Sequence, residues 1–251
     1  MIELEALTKR YGAFTAVDDL SLRVADGEIF GFLGPNGAGK TTTIRMMMGL
    51  LLPTSGRIRL GGFDLAQNPI DAKRLAGFVP DRPFLYEKLT AAELLRFCGD
   101  LYEVDPPVRE RRMEKLLDLF DLSEWAGELI ESFSHGMKQR LAFAAALLHE
   151  PRLLVVDEPM VGMDPRGARM LRGLLRSLAR EGTTLFLSTH SLEVAEALCD
   201  RIGIIQEGRL VAIGTQDELR QRAGDARGLE EIFLKLTGAE DLLDVIQALR
   251  A

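Results

Sequence analysis

The sequence predicts an α/β protein with a parallel sheet at its centre, and three observations carry that expectation. Ile29 to Leu33 is a continuous apolar run, the pattern of a strand buried on both faces. It leads into a glycine-rich loop, Gly34 to Gly39, and then into a helix-compatible stretch, Thr41 to Leu50. Two further apolar runs, Leu153 to Val156 and Thr184 to Ser188, flank a segment with Leu171, Leu174, Leu175 and Leu178 on one helical face.

The remaining elements follow in order. Ile2, Leu4 and Ala6 alternate with polar residues, as do Leu20, Leu22 and Val24, so the first 30 residues read as β. Asp26-Gly27 is a turn signal before the buried strand. Pro53 to Gly56 stops the first helix. Thr90-Ala91-Ala92-Glu93 is a capping box, with Leu94, Leu95, Phe97, Cys98 and Leu101 on the helix face that follows. Pro106-Pro107 opens a second helix with Val108, Leu116, Leu117 and Phe120 as its apolar positions, and Met137 to Leu148 is a third. Residues 84–150 therefore read as a helical insertion. Asp164-Pro165 starts the next helix, which runs to Gly182. Ile202 to Ile205 and Arg209 to Ile213 flank Glu207-Gly208 as a hairpin. Leu229, Ile232, Phe233 and Leu236 form one terminal helical stripe, and Leu242, Val245, Ile246 and Leu249 a second.

Composition narrows the function classes. Hydrophobic residues make up 47% and charged residues 27% of the 251 residues, enough for a sizeable core. A net charge of −7 argues against nucleic-acid binding by bulk electrostatics. Cys98 and Cys199 lie far apart and make neither a metal-ligand spacing nor a disulfide framework, which points to a reducing compartment. The longest apolar run, Met46 to Leu52, falls well short of the ~18–20 residues that span a bilayer. No signal-peptide pattern is expected at the N-terminus.

Two motifs carry chemistry. Gly34, Pro35, Asn36, Gly37, Ala38, Gly39, Lys40 and Thr41 fit the phosphate-loop pattern GxxxxGK[ST]. Inward-pointing N–H groups of such a turn form an anion nest, and the following helix adds its positive end. Lys40 can bridge the β- and γ-phosphates, and the Thr41 hydroxyl can ligate Mg²⁺. Thr42, next in the helix, joins the nucleotide contacts. The second motif is Asp157-Glu158-Pro159, two acids ending an apolar strand. Two charges there are expensive unless a cation or hydrogen bonds offset them. Asp157 reads as a holder of the metal and Glu158 as the base that polarises an attacking water. His190 also falls at a strand C-terminus, the edge where open α/β sheets bind ligands.

In this order, these residues resemble the ATP-binding cassette (ABC) ATPases over nearly the whole chain. The most specific element is Ser134-His-Gly-Met-Lys-Gln-Arg140, which is similar to the family signature L-S-G-G-Q-x-Q-R. The resemblance implies a P-loop NTPase (RecA-like) core, with an N-terminal antiparallel β subdomain and an inserted helical subdomain. Residues 1–83 and 151–227 would form the core, 84–150 the helical signature subdomain and 228–251 the C-terminal helices. It implies ATP and Mg²⁺ as the bound species. Tyr11 would stack on adenine, although a half-buried strand tyrosine is the plainer reading. Ser134 and Gly136 would present donors to the γ-phosphate held by another chain. Asp81 falls where the family usually has Gln and would be a metal ligand with Thr41 and Asp157. His190 would contact the γ-phosphate and the water, and Met160 to Asp164 would cross the dimer seam.

The resemblance further implies a homodimer, or a dimer with a related ATPase chain, that closes on ATP and opens after hydrolysis. Asp81, the S-H-G-M signature and Leu229 to Gly238 resemble ATPase subunits of ABC exporters whose integral membrane permease is a separate chain. The subunit would then be cytoplasmic and peripheral on the membrane through its permease, with no nucleic-acid partner. Pro83-Phe84-Leu85-Tyr86 lies where the family grips the permease, and packing inside the helical subdomain is the alternative. A soluble ABC ATPase of an assembly pathway, such as iron–sulfur cluster biogenesis, is the second reading. A nucleotide-gated module that does not hydrolyse is the third, and Glu158 argues against it.

Overall fold

The computed structural model describes residues 1–161, 163–224 and 228–238. In chain order the first half contains β1 (Ile2–Tyr11), β2 (Phe14–Val24), β3 (Ile29–Leu33), α1 (Lys40–Met47), β4 (Ser55–Leu60), β5 (Phe63–Asp64), α2 (Pro69–Arg74) and β6 (Ala76–Val79). Then come α3 (Ala91–Leu101), α4 (Pro106–Leu119) and α5 (His135–Leu147). The second half contains β7 (Leu153–Asp157), α6 (Pro165–Arg180), β8 (Thr184–Thr189), α7 (Leu192–Leu198), β9 (Arg201–Gln206), β10 (Arg209–Gly214), α8 (Gln216–Arg222) and α9 (Leu229–Leu236). The second terminal stripe, Leu242 to Leu249, lies outside the described residues.

Two sheets form. One has the order β10-β9-β3-β8-β7-β6, parallel except for the β9–β10 hairpin. The other is antiparallel, in the order β2-β1-β4-β5. The parallel sheet explains its unbroken apolar strands, because both of its faces are covered. Leu185, Leu187, Leu154 and Val156 face a core shared with the helical insert. Phe186, Val155, Phe30 and Phe32 face a second core, shared with α1 and the antiparallel sheet. Phe186 packs between Phe30 and Phe32, with ring centroids 5.6 and 5.5 Å away. The antiparallel sheet is clamped to the parallel one by Arg209, whose Nη2 lies 2.6 Å from Asp18 Oδ2, and by the Asp18 N–H, which donates to Gly208 O at 2.9 Å.

The structure departs from the sequence reading in places. The alternation in β1 breaks at Ala6, which is exposed with φ +49°, so Leu7 takes the inward position. A bulge of this kind re-aims the rest of the strand. Helix α1 ends at Met47, before the proline. Its cap is a Gly49 N–H bond to Met46 O at 3.0 Å and a Leu50 N–H bond to Arg45 O at 2.8 Å. Phe97 and Leu101 sit on the outer side of α3 and are exposed, while Leu94 and Leu95 fill the core. Helix α5 begins at His135, two residues earlier than the apolar pattern shows, because Ser134 caps it. Strands β4, β5 and β6 and helices α2, α7 and α8 are short, and the sequence pattern did not mark them. The Thr90–Glu93 capping box and the Asp164 cap form as read.

The helical insert is built from α3, α4 and α5 packed on one another, and α5 also packs against β6. Where α5 returns to the core, His149 stacks on Tyr102 with centroids 3.7 Å apart. Arg112 of α4 donates to Leu148 O at 3.2 Å beside it. Both His149 ring nitrogens are sealed from solvent without a hydrogen-bond partner. Burial pushes the imidazole down from 6.5 to about 4, and the nearby Ala76 backbone offsets only part of that effect. The unfolded chain therefore binds more protons than the folded one between these values, and stability rises with pH across the window. Folding stability is expected to fall as pH drops from 6.5 towards 4. His149→Phe, which keeps the stack but cannot protonate, should narrow the difference between urea midpoints measured at pH 7 and pH 4.5. An unchanged difference would remove His149 as the cause.

Candidate functional site: a phosphate loop and two carboxylates at the strand ends

The C-terminal ends of β3, β8 and β7 lie side by side, with Leu33 opposite Thr189 and Asp157 opposite Ser188. Each strand end carries part of the site. The loop Gly34 to Gly39 leaves β3 and turns into α1, whose N-terminus has no side-chain cap. The first-turn N–H groups of that helix therefore remain open to an anion. The loop needs its glycines for physical reasons. A Cβ on Gly34 would fall 2.4 Å from Ile205 O, and Gly39 has φ +107° with Ala16 O 2.6 Å from any Cβ placed there. Pro35, Asn36 and Gly37 are exposed and Ala38 is buried.

Lys40 is only 7% exposed and arcs back over the loop. Its Nζ donates to Gly34 O at 2.7 Å and to Pro35 O at 3.1 Å. Burial lowers its pKa from the ordinary lysine range, and the Glu158 and Asp157 carboxylates offset part of that effect. A cation held between loop carbonyls and two acids is poised to exchange partners with phosphate oxygens.

Asp157 is buried and fully engaged. Thr41 Oγ1 donates to its Oδ2 at 3.0 Å, and Ser188 Oγ donates to its Oδ1. Thr42 follows Thr41 in α1 and is half-buried. Glu158 adopts φ +53°, a conformation an L residue holds only when its surroundings impose it. The imposing contacts are its N–H to Ser188 O at 3.0 Å, Thr189 Oγ1 to Oε2 at 3.2 Å and His190 Nδ1 at 2.8 Å from Oε1. His190 itself is exposed. The structure thus brings Lys40, Thr41, Asp157, Glu158 and His190 to one edge.

Of the other residues singled out by sequence, Asp81 lies beside that edge. Asp81 lines a cleft of about 640 Å³ that also includes Thr41, Arg45 and Asp157. Tyr11 is 49% exposed at the end of β1, opposite the exposed Phe14, with Lys9 Nζ 5.1 Å from its ring centroid. Ser134 and Gly136 stand apart, at the start of α5 in the helical insert. There Ser134 is exposed and its Oγ accepts the Met137 N–H at 3.3 Å. Among the described residues no group of three or more His, Cys, Asp and Glu could hold a metal by itself. Cys98 and Cys199 are free thiols, and burial pushes them up to about 11 and about 12, so neither is a thiolate at neutral pH. Sequence reasoning missed Ser188, Thr189 and the conformation of Glu158. The only linear signal was two hydroxyl residues ahead of a histidine at a strand end.

A loop that cradles phosphates beside a positioned acid pair defines a nucleoside triphosphatase. The family model described as ABC transporter matches residues 17–161, and the chain belongs to that family. It is 41% identical over 241 residues to the linearmycin resistance ATP-binding protein LnrL of Bacillus subtilis (strain 168), a match that spans 93% of this chain and 78% of LnrL. It is 42% identical over 223 residues to the bacitracin transport ATP-binding protein BcrA of Bacillus licheniformis, spanning 88% and 72% of the two chains. A solved ATP-binding subunit of an ABC transporter superposes with a TM-score of 0.90 at 36% identity, covering 94% of this chain and 99% of that one. The MJ0796 cassette, solved as a post-hydrolysis dimer bound to ADP and Pi, superposes with a TM-score of 0.79 at 25% identity, covering 86% and 98%. The chain is therefore an ATP-binding, ATP-hydrolysing ABC subunit. The reading as an iron–sulfur assembly ATPase draws no support from these relatives, whose names concern transport and resistance.

Gly39→Ala should weaken ATP binding roughly 5–150-fold, the equivalent of ~1–3 kcal/mol of strain at a position of this kind. Equilibrium binding of a fluorescent ATP analogue would measure it, with far-UV circular dichroism showing that the fold persists. Parent-like affinity would show that the loop tolerates a Cβ there.

Proposed function

We propose that this chain powers an exporter-type ABC transporter. It would act as a homodimer, or with a related ATPase chain, on an integral membrane permease carried by a separate chain. The observation that carries the reading is the division of the site. Lys40, Thr41, Asp157, Glu158 and His190 share one strand edge, while Ser134 and Gly136 are presented outward from another subdomain. One chain thus offers each half of an ATP site to a second copy, and the dimeric state of MJ0796 supports this arrangement. Among the described residues no helix is long and apolar enough to cross a membrane; in this reading the permeation path is the permease's. The subunit would lie on the cytoplasmic face of the membrane through that partner. The names of LnrL and BcrA favour an antibiotic-like cargo.

In this reading the phosphates of ATP lie on the N-terminus of α1 and the loop from Gly34 to Gly39. Lys40 moves from its loop carbonyls to the β- and γ-phosphates. Tyr11 offers its exposed ring to adenine. Thr41 and Asp157 fit Mg²⁺, because they place one hydroxyl and one carboxylate oxygen 3.0 Å apart beside the phosphate loop. Mg²⁺ is held in that way by one or two protein oxygens plus phosphates. Asp81, across the cleft, would add a hard oxygen to the metal or its water. Bound there, Mg²⁺ would neutralise charge on the β- and γ-oxygens. Glu158 accepts the proton of the attacking water, and His190 holds that carboxylate and faces the γ-phosphate. Glu158→Gln should lower hydrolysis by ~10²–10⁴-fold, the usual worth of a general base. ATP binding should persist, and an ATP-bound dimer should accumulate on size-exclusion chromatography. Unchanged turnover would remove Glu158 from this role.

The permease surface of this reading lies at Phe84, which is 97% exposed, with Tyr86 and Leu50 exposed as well. Tyr86 is also packed edge-on to Phe97, so only part of this aromatic group is free for a partner. Exposed apolar anchors of this kind mark docking surfaces. Phe84→Asp should sharply reduce the recovery of a polytopic membrane protein when the tagged chain is pulled from gently solubilised native membranes. Recovery of soluble partners alone by the parent chain would overturn the transporter reading.

A further inference from the structure

The C-terminal end of β8 holds two hydroxyls for which the reading above has no use. Ser188 is fully buried, and its Oγ donates to Asp157 Oδ1. Thr189 Oγ1 donates to Glu158 Oε2 at 3.2 Å and accepts the Ser191 N–H at 3.0 Å. This is a consequence of register, since Ser188 is the cross-strand partner of Asp157. Each carboxylate of the acid pair therefore has its own hydroxyl on the neighbouring strand.

The two partners of Asp157 are not equivalent. Thr41 is exposed at the start of α1, and its hydroxyl is the one that the phosphate-loop motif assigns to metal. That hydroxyl can ligate a cation through a lone pair while its O–H still donates, so Thr41 is shared between Asp157 and the metal. Ser188 is sealed between strands and serves the carboxylate alone. Its bond holds Oδ1 and leaves Oδ2 as the oxygen directed towards Thr41. We propose that Ser188 is a positioning residue that fixes the Asp157 carboxylate for metal–nucleotide binding, while Thr189 separately fixes Glu158 for its work on water. The proposal rests on the reading of Asp157 as the metal-side carboxylate.

The test uses the full chain and two readouts: affinity for a fluorescent ATP analogue with and without Mg²⁺, and hydrolysis as a function of Mg²⁺. Ser188→Val and Ser188→Thr have the same shape and differ by one hydroxyl, so packing changes cancel between them. Ser188→Val should lose about 10-fold or more of the Mg²⁺-dependent gain in nucleotide affinity, the usual worth of a partner that orients a metal ligand. It should need correspondingly more Mg²⁺ for half-maximal hydrolysis, and its metal-free nucleotide affinity should match that of Ser188→Thr. Thr189→Val should instead lower kcat about tenfold, the worth of one hydrogen bond to a charged group, without moving the Mg²⁺ half-saturation. Equal Mg²⁺ dependence in Ser188→Val and Ser188→Thr would overturn the proposal, and an equal Mg²⁺ shift in Thr189→Val would overturn the division of roles. Asp157→Asn separates the levels. If it leaves the Mg²⁺ dependence of binding intact, the metal reading of Asp157 fails and the Ser188 role falls with it. If it removes that dependence while Ser188→Val does not shift it, only the Ser188 role fails.

Discussion

The site depends on the parallel pairing of β3, β8 and β7. Their register sets Leu33 beside Thr189 and Asp157 beside Ser188, so the phosphate loop, the hydroxyls and the acids end at one level. That register is pinned from both sides. Leu185 and Leu187 face one core while Phe186 faces the other. A slip of one residue would exchange the faces and drive aliphatic and aromatic side chains into the wrong cores. The packing that stabilises the sheet is thus also what aims the chemistry. A buried carboxylate such as Asp157 is tolerated there because hydroxyls on two neighbouring elements satisfy it.

Around this sheet the other two subdomains do different jobs. The antiparallel sheet is bound closely to the core, through Arg209 to Asp18 and through the backbone of Ala16 beside Gly39. It buttresses the phosphate loop. The helical insert is joined through α5 on β6 and through the apolar core that it shares with one face of the parallel sheet. It carries Ser134, exposed, at the start of α5.

Sequence made the site legible where chemistry is written as a linear motif. Gly34 to Thr41, Asp157-Glu158 and Ser134 to Arg140 each declare a local geometry through residue type and spacing. Strands β3, β7 and β8 were legible because burial on both faces leaves no alternation. The remainder depends on neighbours distant in the chain. Ser188 matters because β8 lies beside β7, and nothing in a Ser-Thr-His triplet states which strand that will be. Ala6 reads as an inward residue until the bulge turns it out. Strands β5 and β6, of two and four residues, carry no period long enough to stand out, whereas β4 does alternate, with Ile58 and Leu60 buried in alternation with Arg57 and Arg59. Glu158 takes a left-handed conformation for reasons supplied wholly by the end of β8.

The lysine of the phosphate loop has one more consequence. Lys40 already satisfies its ammonium with the carbonyls of Gly34 and Pro35. In the proposed reading a nucleotide displaces these internal acceptors, so the chain would compete with its own ligand. Such self-competition makes binding an exchange of partners and holds affinity below what a bare ammonium would give. When the product leaves, the lysine has somewhere to go, and the release step is eased by contacts the protein makes with itself.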